Sequence, residues 1–175
     1  KAAAGECTEC AAGSFSANPG SSACTSCAAG TYAIQKSTKC TVCPDGSYSA
    51  ANAGACITCA AGTYAPIKST GATSCTSCPK GKYQRSAGQT KCLLCNPGYI
   101  AASSGMTVCN ACPIGTFRYS TTVCNKCTAG KYQSVEASST CNTCSKGKYS
   151  GQGASACIVC GVGTYAPQGS AACLK

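Results

Sequence analysis

Cys-x-x-Cys recurs ten times in this chain, and nothing else in the sequence limits its fold as strongly. The pairs begin at Cys7, Cys24, Cys40, Cys56, Cys75, Cys92, Cys109, Cys124, Cys141 and Cys157, at intervals of 15 to 19 residues. One further step of 16 reaches Cys173, and Lys175 then stands one residue before a partner cysteine would fall. KAAAGE, ahead of Cys7, reads as the tail of an earlier loop. The expected organisation is one continuous array over residues 1–175, about ten modules long, cut from a longer series at both ends. Modules of about 17 residues are expected to touch only their neighbours and to build a quasi-one-dimensional rod.

A conventional hydrophobic core is out of reach. Leu, Ile, Val and Phe total 17 of the 175 residues, whereas Ala, Gly, Ser and Thr total 90. With a formal charge of +10, such a chain would ordinarily stay disordered. Small side chains bury too little apolar area to offset the entropy of ordering the backbone. The 21 cysteines reverse that expectation, because chains with thin cores use covalent cross-links instead. Disulfides at this density persist in oxidising compartments, so an extracellular or cell-surface location is expected. The sequence has no signal peptide and no long apolar run, so no membrane span is expected in this segment.

A fixed signature follows every pair. Three residues after the second cysteine there is always glycine, from Gly13 to Gly163, and two residues later an aromatic such as Phe15, Tyr32, Tyr48 or Tyr149. The glycine predicts a turn needing positive φ. Pro44, Pro79, Pro97 and Pro113 restrict φ just ahead of it. GTYA and GKYQ read as very short strands, and SANPGSSA or SAANAGA as hairpin-like return loops. No segment keeps a helical period over ten residues. One module departs: in CNPGYI the aromatic is Tyr99, directly after Gly98, and Ile100 takes its place. An altered loop is expected there. The aromatics are expected to lie flat over a disulfide or the next module's backbone, with a tyrosine ladder that binds sugars or another chain as the alternative.

The cysteines admit three chemistries. A four-cysteine zinc site would use Cys-x-x-Cys pairs two at a time and make neighbouring modules unequal, yet the glycine-aromatic signature follows every single pair. A redox dithiol needs a helix N-terminus in a βαβ setting, which nothing here supplies. Structural disulfides remain. Joining the second cysteine of one pair to the first of the next would close one loop per module: Cys10–Cys24, Cys27–Cys40, Cys43–Cys56, Cys59–Cys75, Cys78–Cys92, Cys95–Cys109, Cys112–Cys124, Cys127–Cys141, Cys144–Cys157 and Cys160–Cys173. Cys7 would then pair upstream. The rival joins like positions of adjacent pairs, such as Cys7–Cys24 with Cys10–Cys27, and leaves Cys173 unpaired. Counting alone does not separate the two.

CxxCxxGxY followed by the next CxxC resembles the cysteine-rich repeats of ephrin-receptor-like surface proteins. It is also similar to the first half-module of tumour necrosis factor receptor repeats, whose second half-module is absent here. In that half-module the cysteine before Gly-x-Tyr pairs with the first cysteine of the next Cys-x-x-Cys, so the resemblance implies the adjacent-pair connectivity. Long arrays of this kind resemble parts of large surface and extracellular-matrix proteins. The expected fold is small and disulfide-rich, mostly irregular with short β-hairpins, drawn out as an elongated tandem-repeat rod with one stapled loop per module.

Catalytic chemistry lacks its parts. There is no histidine, and the only acids are Glu6, Glu9, Asp45 and Glu136. General acid–base pairs, triads, carboxylate metal sites and calcium sites have almost nothing to be built from, so no enzyme, metal or cofactor is expected. The charge is uneven: ten basic residues lie between Lys68 and Lys148, with Glu136 the single acid among them. Lys80, Lys82, Arg85, Lys131, Lys146 and Lys148 form a candidate stripe for acidic polysaccharide or another anionic partner. Nucleic acid is not an expected partner in this compartment. The 41 Ser and Thr residues could carry O-glycans. The reading reached is a non-enzymatic structural component of an extracellular filament, surface coat or matrix, polymerising through lateral and end-to-end contacts. The alternative is the stalk or ligand-binding ectodomain of a cell-surface receptor.

Overall fold

The computed structural model of this chain describes residues 9–18 and 21–175. Cys7 with its expected upstream partner, the KAAAGE segment and Pro19–Gly20 of the first return loop lie outside the described residues.

Among the described residues there is no helix, and the regular structure consists of two- and three-residue strands paired into antiparallel hairpins. The second hairpin is representative. The turn opens at Ala28, whose carbonyl accepts the Thr31 N–H at 3.1 Å, and Gly30 holds the third turn position with φ of 87°. A hydrogen-bonded turn with positive φ at that position is a type II turn, and a Cβ would strain it. Thr31–Tyr32 then leaves the turn and pairs with Thr41–Val42, the two residues inside the next Cys-x-x-Cys. Cys43 N–H closes the hairpin on the Gly30 carbonyl at 2.9 Å. The outgoing strand is the one expected from GTYA. The return strand inside Cys-x-x-Cys is too short to announce itself in sequence; the disulfide and this last bond hold it alongside its partner.

The register has a simple consequence. The aromatic faces the first residue between the cysteines, as in Tyr32 with Thr41 and Tyr132 with Asn142. The residue after the glycine faces the second, as in Thr31 with Val42 and Lys148 with Val159. Since strand side chains alternate, each hairpin has an aromatic face and an opposite face. The CNPGYI module keeps this backbone: Gly98 has φ of 82°, Asn96 accepts the Tyr99 N–H at 3.0 Å, and Ile100 pairs with Asn110. The expected altered loop is therefore corrected. Only the side chains exchange faces, leaving Tyr99 exposed and Ile100 half-buried in the aromatic's place.

Burial falls on small atoms. The second cysteine of each pair from Cys10 to Cys144 is buried, and so is the residue three after most turn glycines: Ala33, Ser49, Ala65, Gln84, Ala101, Gln133, Ser150 and Ala166. These sit where the next module's main chain crosses. Gly30 N–H donates to the Ser49 carbonyl at 2.9 Å, Ala33 N–H to the Ala53 carbonyl at 3.1 Å, and Asn52 N–H returns a bond to the Cys27 carbonyl at 2.9 Å. The same three bonds recur from the eighth module to the ninth: Gly130 to Ser150, Gln133 to Ala154, and Gly153 to Cys127. Modules are thus joined mainly by backbone hydrogen bonds, which require close approach and hence small side chains.

Contacts do not stop at the neighbour. A Cβ on Gly30 would collide with the carbonyl oxygens of Thr70 and Gly71, two modules on, and one on Gly98 would overlap the Ala137 carbonyl. Gly13 stands in the same way against Asn52, Gly46 against Gly88, Gly115 against Gly153 and Gly130 against Gly169. The expectation that modules touch only their neighbours is corrected. With no large side chains to hold layers apart, the turn of one module reaches the return loop of the next but one. That loop turns on a positive-φ residue, supplied by Gly71, Gly88, Gly105, Gly153 and Gly169, but also by Lys36, Asn52 and Ala137.

Two compact units divide the chain. The first comprises Lys1–Cys78 and Gln84–Cys92, the second Pro79–Tyr83 and Leu93–Lys175. Within the first, Cys59, Ala65 and Ala72 form a buried cluster on which Tyr48 and Cys75 pack. Tyr48 thereby packs against the cluster that holds the disulfide of the following module. Within the second, the seventh module has the shortest loop and three-residue strands, Thr116–Arg118 and Cys124–Lys126. It lacks a positive-φ loop residue, and Thr121 meets Gly81 with its side chain instead.

Candidate functional site

The ten disulfides join Cys10 to Cys24, Cys27 to Cys40, Cys43 to Cys56, Cys59 to Cys75, Cys78 to Cys92, Cys95 to Cys109, Cys112 to Cys124, Cys127 to Cys141, Cys144 to Cys157 and Cys160 to Cys173. Sequence separations run from 12 to 16 residues and Cα–Cα distances from 5.6 to 5.8 Å. The rings follow one another without overlap, so each cross-links its own module. In the chain-entropy picture a loop of this size contributes about 3 kcal/mol. With these sulfurs in disulfides, no group of three or more His, Cys, Asp or Glu among the described residues is placed to hold a metal ion.

The sparse acids are scattered. Glu9 meets Lys36 at 2.7 Å in an exposed pair, a contact of about 1 kcal/mol at most, while Asp45 and Glu136 lie exposed in separate modules. Two shallow grooves are present. One, of about 360 Å³, is lined by Phe117, Thr128, Lys131, Ser139, Thr140 and Cys141. The other, of about 350 Å³, lies along Tyr32, Ile34 and Lys36 to Lys39. Neither groove is lined by a carboxylate.

The basic residues are distributed by module position. Lys80 and Lys82 flank the turn glycine Gly81, and Lys146 and Lys148 flank Gly147. Lys82, Lys131 and Lys148 all occupy the residue after the glycine, on the face opposite the aromatic. Arg85 belongs to the first unit, in the return loop of the fifth module, while the other five stripe residues belong to the second. Sequence inspection missed Lys126, which faces Thr116 and so presents on the same hairpin face. Its position between two cysteines gave no hint, because the pairing of Cys-x-x-Cys residues with the outgoing strand emerges only on folding.

Two glutamines were also missed. Gln133 is buried, donates from Nε2 to the Thr140 carbonyl at 2.8 Å and accepts the Val135 N–H at 3.1 Å, so its amide organises its own return loop. Gln84 does the same with Lys91 and Ser86. Ser49 and Ser150 instead donate back to the preceding module, to the carbonyls of Thr31 and Lys131, each at 2.9 Å.

No helix among the described residues is long and apolar enough to cross a membrane. No curated protein matches the chain. The family model described as tyrosine-protein kinase ephrin type A/B receptor-like matches residues 1–39, 46–88 and 62–107, more than half of the 175 residues. Repeats of this kind are non-catalytic ectodomain modules, and with ten disulfides they point to an extracellular or secreted location. The matched segments carry the recurring hairpin and the stapled loop, and the chain belongs to the ephrin type A/B receptor-like family of cysteine-rich repeats.

Proposed function

We propose that this chain is a non-enzymatic structural segment of an extracellular filament, surface coat or matrix. One observation carries the reading. Successive modules bond through main-chain N–H and C=O groups, with glycine, alanine and serine at the contacts, so the interlock repeats without needing a particular side chain. An interlock of that kind suits a load-bearing repeat, because each added module presents the same bonds to the next. Exposed apolar side chains such as Leu94, Ile158 and Val159, between the cysteines of Cys-x-x-Cys, suit lateral contacts with further copies. The exposed hydroxyls offer O-glycan acceptors.

The second reading, a stalk or ligand-binding segment of a cell-surface receptor, draws on the family itself, whose description is that of a receptor. Electron microscopy of the native, unreduced protein at its source separates the two. Ordered filaments with an axial repeat are the expected result. Isolated thin particles under the same conditions would replace the filament by the stalk.

A further inference from the structure

The contacts between a module and the next but one run in two separate lines within the second unit. Gly81 of the fifth module meets Thr121 of the seventh, and Gly115 of the seventh meets Gly153 of the ninth. Gly98 and Gly130 make the corresponding contacts along the sixth, eighth and tenth modules, with Ala137 and Gly169. The hairpin face opposite the aromatic looks along these lines. The Lys126 stem lies 3.3 Å from where a Cβ on Gly153 would stand, two modules further, and the Thr143 methyl bears the same relation to Gly169.

The cations are sorted between the lines. Lys80 and Lys82 belong to the fifth module, Arg118 and Lys126 to the hairpin of the seventh, and Lys146 and Lys148 to the ninth. Counted by hairpin, the even modules carry only Lys131, with Lys175 past the last cysteine and the unit's single acid, Glu136, in the eighth module's return loop. All of the second unit is described, and it contains no ion pair. Lys80, Lys126, Lys146 and Lys148 are exposed, while Arg118 spends its guanidinium on the Ser120 and Asn96 carbonyls.

We infer that the odd-module line of the second unit binds a linear acidic polysaccharide along Lys80, Lys82, Lys126, Lys146 and Lys148. A row of point cations at or facing the residues that flank the turn glycines matches a row of sulfates or carboxylates on an extended chain, and lysine contacts such anions as a point charge. The row has no carboxylate to compete with the ligand, so nothing on its own line neutralises its field. Two lysines bracketing one tight turn double the charge at each end. The revised row drops Arg85 and Lys131 and adds Lys126. It holds for a filament subunit and for a receptor stalk alike.

The test uses the whole oxidised chain on immobilised heparin, with polygalacturonate as a carboxylate-only arm and dextran as a neutral one. A line variant takes, at each site, a residue that other modules carry there: K80A, K82T, K126S, K146A and K148T. A control variant removes the same charge elsewhere: K39S, K68S, R85S, K91S and K175S. Disulfide mapping checks both folds. The line variant should lose at least about tenfold in affinity for one acidic polymer, with a shallower salt dependence, while the control loses less than about threefold. K131T alone should leave binding near the native value, whereas K148T alone should weaken it. Equal losses in both variants, no binding of either acidic polymer by the native chain, equal binding of dextran, or tighter binding to anionic lipid vesicles would each overturn the assignment.

Discussion

The two units share a backbone and differ in what they place after the turn glycine. In the first unit that position is Ser14, Thr31, Ser47 and Thr63, and every hydroxyl donates to the carbonyl that opens the turn, at 2.6 to 2.9 Å. In the second unit Thr116 and Thr164 keep this brace, but Lys82, Lys131 and Lys148 replace it with charge. The first unit carries six basic and three acidic residues, the second eight and one. The interlock is unaffected, because it draws on main-chain groups at and after the turn glycine and not on the side chain that follows that glycine. The outer hairpin face is therefore free to vary, and a charged row can be written there at the loss of one side-chain hydrogen bond per turn.

If the interlock is common to both units, disturbing it should cost the same in each. Gly30→Ala and Gly130→Ala combine a strained φ with a collision against the module two further on, and each should lose about 3–5 kcal/mol locally. Gly163→Ala keeps the strain, at φ of 79°, but meets nothing, and should lose only about 1–2 kcal/mol. Amide hydrogen exchange of the flanking hairpins reads all three. Similar losses at Gly30 and Gly163 would remove the next-but-one contact from the account.

Removing the Cys59–Cys75 or the Cys127–Cys141 bridge by paired Cys→Ala changes should each cost about 3 kcal/mol. Protease cleavage should appear within 60–74 or 128–140 and stay confined there, because the rings do not overlap. Cleavage spreading through a whole unit would mean that the staples act jointly. Gln84→Ala and Gln133→Ala should each lose about 1–2 kcal/mol, by freeing the return loops their amides organise. Unequal losses would show the units differ in more than surface. The smallest effect is the exchange at the turn. Lys148→Thr should gain about 0.5–1 kcal/mol from a restored brace and Thr63→Lys should lose as much, in denaturant titrations of the oxidised protein.

Much of the module was legible beforehand. Gly30 and its equivalents announce the turn because only glycine takes that φ cheaply, and the GTYA strand follows from it. Ala33, Ser49 and Gln133 were not legible. Small or polar residues three places after the glycine look like loop filler until the next module's backbone is laid across them. Ala137 and Lys36 were hidden for a related reason: neither residue type advertises the left-handed conformation their loops impose.

By itself, the sequence determined the period of the cysteines, the turn at each glycine, the outgoing strand and the scarcity of apolar side chains for a core. These follow from residues within a few positions of one another. Which surfaces meet was decided only in three dimensions. Backbone hydrogen bonds mark their residues only as small, a mark shared by every loop of this chain, so neither the coupling of one module to the next nor the contact two modules on could be read from the residues making them. The same folding sorted Lys80, Lys82, Lys126, Lys146 and Lys148 onto one line of modules, a juxtaposition no spacing along the chain reveals.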